Sequence, residues 1–315
     1  MQAIALRPPT PFSVYALVLS DPLSRGATTF GSAFSGLPAA WQYLFALALG
    51  LAIGSFLNVV IHRLPIMLDR AWRAEISEVT GEPPADDELP ERYNLSVPRS
   101  ACPHCGHVLR IRENIPVLSY LWLRGRCSAC HARICVRYPL VELAGGALAA
   151  LALATFGPTG TALAAFGLCA ALLAMSAIDI DTRLLPDSLT LPLLWAGLIV
   201  NFGDTFASLR AAVAGAIAGY VFLWSVYWLF RFVRGIEGMG YGDFKLLAAL
   251  GAWLGWGALP QIVLVSAVSG ALVGLLAMWS GKMRFEEPLP FGPFLALGGA
   301  VTLFAGTPLF NLFGG

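Results

Sequence analysis

Charge is what this 315-residue sequence has least of: only 12% of its residues are Asp, Glu, Lys or Arg, against about 25% in soluble domains. A chain so poor in charge cannot present a water-facing surface on every side. The few charges nearly cancel, at a net of +1. That leaves none of the basic excess on which nucleic-acid binding depends, and no nucleic-acid partner is expected. Histidine is scarcer still. His62, His104, His107 and His131 are the only four, so the apolar remainder of the chain holds no Ser-His-Asp or Cys-His set for nucleophilic hydrolysis.

What is present instead is long uncharged sequence. Residues 143–178, 211–230, 246–281 and 288–315 carry no charge at all. A membrane-crossing helix takes about 20 apolar residues, so the two 36-residue runs each have room for a pair of short or tightly joined spans. Gly157-Pro158-Thr159-Gly160 divides the first and the Gly255–Pro260 stretch divides the second, because Gly and Pro interrupt helices. The pattern predicts an all-α integral membrane protein of about eight spans, at 41–61, 140–157, 161–178, 186–202, 211–230, 244–256, 259–279 and 291–311. The sixth is short enough to be tilted or buried within the bundle.

Basic residues orient such a bundle, since cytoplasmic loops are enriched in Lys and Arg. With segment 62–139 inside, 17 of the 20 basic residues are cytoplasmic, and Arg7, Arg25 and Arg210 are left outside. The expected domain plan is an outer-face lead-in (1–40), a first span (41–61), a cytoplasmic domain (62–139) and a seven-helix membrane domain (140–315). The apolar stretch Phe12–Leu19 in the lead-in is too short to span and lacks the marks of a cleaved signal.

The cytoplasmic segment carries two features. Residues 75–91 hold seven acids and no base, a composition that reads as a solvated, partly flexible excursion. Further on, Cys102-Pro103-His104-Cys105 is followed after 21 residues by Cys127-Ser128-Ala129-Cys130. Two such pairs at this separation read as a zinc site of four thiolates, Cys102, Cys105, Cys127 and Cys130. Four protein ligands leave no position for a reacting water, so its role is structural. Disulfides seldom persist in the cytoplasm. Cys135 and Cys169 are expected to pack as small hydrophobes.

The remaining chemistry lies in carboxylates at the ends of spans, where a charge is costly and therefore a functional candidate. These are Glu142, Asp179, Asp181, Asp187 and Asp243, each at the cytoplasmic end of its span. Asp243 closes Gly238-Met239-Gly240-Tyr241-Gly242-Asp243. Its glycines strip side chains from around the acid, so either a turn packs there or an extended peptide comes within reach. Two carboxylates sharing a site cannot both ionise readily, so one activates water while the other polarises a carbonyl. Spacing alone does not say which of Asp179, Asp181 or Asp187 partners Asp243. A proton-coupled carrier is the alternative class, but it has no use for two cysteine pairs and wants its acids nearer mid-membrane.

Taken in order, the motifs resemble the type IV prepilin peptidases, polytopic aspartyl proteases with a GxGD element. The resemblance runs from about residue 41 to near the end: Gly54–Pro65, both cysteine pairs, NIPVLSYLWLRGRC (114–127), RYPLVEL (137–143), IDIDTRLLPD (178–187), GMGYGDFKLLAALGAW (238–253) and PFGPFLALGG (290–299). It implies that Asp179 and Asp243 are the catalytic acids, with Gly240, Gly242, Asp181 and Asp187 in support. It also implies the bacterial inner membrane as the location and substrates that are prepilins or type II secretion pseudopilins, cut after a Gly on the cytoplasmic side. Many such enzymes then N-methylate the new terminus with S-adenosylmethionine. Glu142 and the element Gly54–Asn58 are possible contributors to that second activity. The acidic run 75–91 is placed to attract a basic leader.

Overall fold

The computed structural model describes residues 34–81, 90, 92–235, 239–281 and 289–306. Residues 1–33 of the lead-in, and 82–89 and 91 of the acidic run, lie outside those described. Regular structure among the described residues is helical, apart from two isolated bridges in the cysteine region. The helices are α1 (Ala39–Thr80), the short α2 (Leu118–Trp122), α3 (Arg137–Phe156), α4 (Gly160–Thr182), α5 (Asp187–Val200), α6 (Leu209–Arg234), α7 (Tyr241–Leu254), α8 (Leu259–Trp279) and α9 (Gly292–Ala305).

Each of the eight expected windows holds a helix. Five segments are long and apolar enough to cross a membrane: Ala39–Thr80, Arg137–Phe156, Gly160–Thr182, Leu209–Val233 and Trp256–Trp279. Apolar residues also face outward in quantity, as Leu264, Val268, Leu272 and Leu276 do along α8. Lipid in place of water accounts for that pattern, because exposed leucine costs nothing in hydrocarbon.

The first span does not stop near residue 61. Its helix runs on for 42 residues to Thr80, through Pro65, which removes one backbone donor without ending it. Residues 66–80 are rich in helix formers, and Asp69 pairs with Arg73 one turn on at 2.7 Å. Charge there marks a helix leaving the membrane, so the start of the acidic run (75–80) is helical rather than loose. Gly81 closes it in a left-handed turn at φ 72°, its N–H donating to the Ser77 carbonyl.

The sixth window is the centre of the bundle. Helix α7 has 14 residues and is about 21 Å long at 1.5 Å per residue. Phe244, Leu246, Leu247 and Leu250 are fully buried, against Leu168, Met175 and Ile178 of α4, Ile262 of α8 and Leu295 of α9. Small residues bring backbones together where apolarity alone gives no drive to associate. Gly215 of α6 faces Gly251 of α7 in this way, as Gly50 of α1 faces Gly145 of α3. One polar side chain locks the end of α7. Asn201, fully buried, donates to the Ala252 and Trp253 carbonyls at 2.9 and 2.7 Å and accepts from the Phe206 and Ala207 N–H groups.

Candidate active site

The five edge carboxylates separate by what holds them. Glu142, on α3, accepts from the Val117 N–H at 2.7 Å, joining the cysteine-bearing domain to the bundle. Asp181 takes the Arg137 guanidinium on both oxygens, at 2.7 and 2.6 Å. Asp187, in the first turn of α5, takes Lys245 on both oxygens, at 2.6 and 2.7 Å. Three acids are thereby committed to structural partners. Asp179 and Asp243 are not: they are 5% and 7% exposed, and neither has an ion-pair partner among the described residues.

Each of these two carboxylates meets the N-terminus of a helix. The first N–H groups of a helix have no internal partner and carry its positive end. Gly292 opens α9, and its N–H donates to Asp179 Oδ2 at 2.9 Å. Asp243 is the third residue of α7, so its carboxylate stands in the first turn, at the positive end of that helix. Asp179 stands in the last turn of α4, its carbonyl accepting from Arg183, which ends the helix in the left-handed region at φ 57°.

The glycines around the acids do different jobs. A Cβ on Gly242 would sit 2.6 Å from Leu185 Cβ, and one on Gly292 would sit 2.7 Å from Asp179 Oδ2 and 3.2 Å from Leu185 Cδ1. Leu185 is therefore wedged between the two, and both positions exclude any side chain. Gly240 is open, its nearest such neighbour being Asp243 Oδ2 at 3.9 Å. Of the glycines in the GxGD element, the second serves packing and the first leaves room beside the acid. Behind the site, Tyr227 of α6 packs its ring on Tyr241 and Phe244, which flank Asp243.

The four cysteines converge as their spacing predicts. Their sulfurs all lie within 4.8 Å of one another, with Cys102–Cys130 at 3.8 Å and Cys105–Cys127 at 3.9 Å. Four sulfurs about 2.3 Å from one ion stand roughly 3.8 Å apart on a tetrahedron, so the donor set fits zinc. Both knuckles fold alike. Cys102 N–H donates to the His107 carbonyl and Cys127 N–H to the Ala132 carbonyl, with Gly106 in one and His131 in the other taking the left-handed turn at φ 70° and 57°. His107 bonds Glu113 at 3.2 Å rather than completing the cluster. Glu113 is held down to about 2 by the Arg110 N–H first, then by the Ser128 hydroxyl and by His107. Cys169 is buried as expected, whereas Cys135 is exposed and packs against no core.

Known proteins match this chain over most of its length. Residues 48–156 match the model of the bacterial peptidase A24 N-terminal domain and residues 166–275 that of the type IV leader peptidase family. A protein of Burkholderia pseudomallei named prepilin leader peptidase/N-methyltransferase is 73% identical over 284 residues, covering 90% of this chain and 92% of its own. The chain belongs to the type IV leader peptidase family. Members of the same name from Aeromonas hydrophila and Pseudomonas aeruginosa are 54% and 53% identical, over 86% and 84% of this chain and 93% and 90% of theirs. No solved structure matches.

Within the frame of this leader peptidase family, the N-terminal match contains the cysteine cluster and Arg137, and the second match contains both buried acids. Gly292 lies beyond either. It belongs to the PFGPFLALGG element, which the sequence displayed without assigning it a task. Its contact with Asp179, 113 positions earlier, is visible only in three dimensions.

Proposed function

We propose that this protein is a bifunctional prepilin-processing enzyme of the bacterial inner membrane, cutting with Asp179 and Asp243. The observation that carries the reading is that these two buried carboxylates have no ion-pair partner among the described residues, while Asp181, Asp187 and Glu142 are engaged elsewhere. One of the two holds the proton. The ionised one takes a proton from water, whose oxygen attacks the scissile carbonyl carbon, while the protonated one donates to the carbonyl oxygen. The tetrahedral adduct then collapses, the carbon–nitrogen bond breaks, and a proton passes to the departing amine. The N–H of Gly292 fixes the Asp179 carboxylate in place and need not reorganise as charge moves.

The substrates are the precursors of type IV pilins and type II secretion pseudopilins. Such a precursor lies in the bilayer by an apolar helix with its basic leader in the cytoplasm, which sets the cut at the cytoplasmic membrane edge. The eight helices pass through the bilayer with 62–139, the acids and 17 of 20 basic residues on that side. Zinc, held by Cys102, Cys105, Cys127 and Cys130, ties the two knuckles of the cytoplasmic domain together. The relatives' shared name supports methyl transfer to the new terminus, for which S-adenosylmethionine supplies the methyl group. Glu142 binds the Val117 N–H through one carboxylate oxygen, and Asn58 donates to the Tyr138 carbonyl at 3.0 Å. Both act at the joint between α1, α3 and the cysteine domain. The carrier alternative gains no support, because the acids sit at helix ends rather than along a mid-bundle path.

The test is cleavage of a prepilin by membranes holding wild type, Asp179→Asn or Asp243→Asn. Each variant is expected to be silent; full-rate cleavage by either one refutes the pair.

A further inference from the structure

Asp179 is held from the front by Gly292, and the structure also shows what holds it from behind. In the last turn of α4, Ala177 and Asp181 lie on one side of the helix. Asp179, two residues from each, points roughly opposite, at about 200° around the axis. Arg137 grips that rear side at two levels. One guanidinium nitrogen donates to both oxygens of Asp181 at 2.7 and 2.6 Å, and the other donates to the Ala177 carbonyl at 3.2 Å. The bonds therefore bracket Asp179 in sequence without touching its carboxylate, which bonds Gly292 instead.

The grip answers a local problem. Two carboxylates in the last turn of a helix face its negative end, which favours cations there and disfavours acids. Arg183, which ends the helix, occupies the left-handed region at φ 57° without being glycine, so this turn has little of its own to resist fraying. Arg137 supplies the missing cation, from the first residue of α3. It follows the second cysteine pair by seven positions and lies in the N-terminal matched region, not the one that contains the acids.

We propose that Arg137 is a positioning residue for cleavage: with Asp181 as its counter-ion, it fixes the last turn of α4 so that Asp179 faces Asp243 across the site. This rests on the assignment of Asp179 as a catalytic acid. It makes Asp181 a structural anion, and it makes the cysteine-bearing half of the chain a contributor to the geometry of the protease half.

The test uses the full-length protein in detergent with a prepilin, for Arg137→Gln, Arg137→Lys, Asp181→Asn and the double variant Arg137→Gln/Asp181→Asn, beside Asp179→Asn. Methylation of a pre-cut pilin in the same preparations reports the folded fraction. A displaced catalytic group lowers turnover by roughly 10- to 100-fold, so Arg137→Gln and Asp181→Asn should each lose about that much kcat. KM should stay within about twofold, because substrate binding is untouched. The double variant should be no worse than the poorer single, since both remove one clamp, and Arg137→Lys should recover part of the loss. Arg137→Gln cleaving at the wild-type rate overturns the proposal, as do losses that multiply in the double variant. So does Asp181→Asn falling as silent as Asp179→Asn while Arg137→Gln stays active, which would make Asp181 itself catalytic. If Asp179→Asn still cleaves, the assignment of the acids fails instead, and the two failures are told apart.

Discussion

Adding one methyl group at each of three glycines separates their duties. Ordinary contact begins near 3.4 Å. A Cβ at Gly292 falls 2.7 Å from Asp179 Oδ2, so the carboxylate must retreat by about 0.7 Å, giving up the Gly292 N–H bond. A hydrogen bond to a charged group is worth about 1.5–3 kcal/mol, which as a barrier change is a loss of roughly 10- to 100-fold in kcat. A Cβ at Gly242 falls 2.6 Å from Leu185 Cβ, an atom bonded to backbone that cannot swing aside. That overpacking should cost about 1–3 kcal/mol in stability and carry Asp243 with it. At Gly240 the nearest atom is 3.9 Å away, and the backbone at φ −80°, ψ 149° suits alanine. Gly240→Ala should therefore keep kcat within about twofold of wild type. Initial rates of prepilin cleavage over a range of substrate, with thermal melts of the same detergent preparations, provide the comparison. Gly292→Ala at the wild-type rate, or Gly240→Ala losing as much kcat as Gly292→Ala, would refute this division of labour. A rise in KM alone for Gly240→Ala would place the substrate backbone over that glycine.

Replacing Cys102 and Cys127 with Ser should abolish bound zinc, measured by metal analysis, and remove methylation while cleavage persists. Glu113 titrates at about 2 when folded against its usual 4.5. Its support of the two knuckles is therefore complete above 4.5 and is lost as pH falls through about 2. The loss of thermal stability of the metal-free protein across that window should be absent in Glu113→Gln. Asn201→Ala strands two buried carbonyls at the end of α7 and two part-buried N–H groups in the loop before α6, with each buried group costing about 1–3 kcal/mol when left unpaired, and should lower the melting temperature more than any surface substitution does.

The helices were legible because charge is so rare that its absence outlines them, and the four-cysteine cluster because cysteine spacing encodes a knuckle directly. Charge misled at one place. Asp69, Arg70 and Arg73 look like the start of a loop, yet they continue α1, since charged residues with helical propensity extend a helix once it has left the bilayer. Cys135 was misplaced by a rule about free thiols, though it lies at the domain joint where side chains are open to water. Spacing alone does not distinguish Asp179, Asp181 and Asp187; what separates them in the structure is that Asp181 and Asp187 each find a cation. Arg137 and Lys245 are 44 and 58 positions from the acids they pair. Gly292 was hidden for the same reason: a donor from the backbone of a distant helix leaves no mark on composition.

The bond between Gly292 and Asp179 also sets a schedule. Synthesis runs from the N-terminus, so α4 reaches the membrane more than a hundred residues ahead of α9. Asp243 is made within that interval, and α7, too short to anchor itself, then lodges against α6 through Gly215 and Gly251. The nascent chain then carries every acid it will use and none of the support for Asp179 that α9 brings. On the proposed assignment, proteolytic competence would arrive with α9, after the other eight helices described here have been made, and a chain halted before residue 292 would have its acids in place and its vice still open.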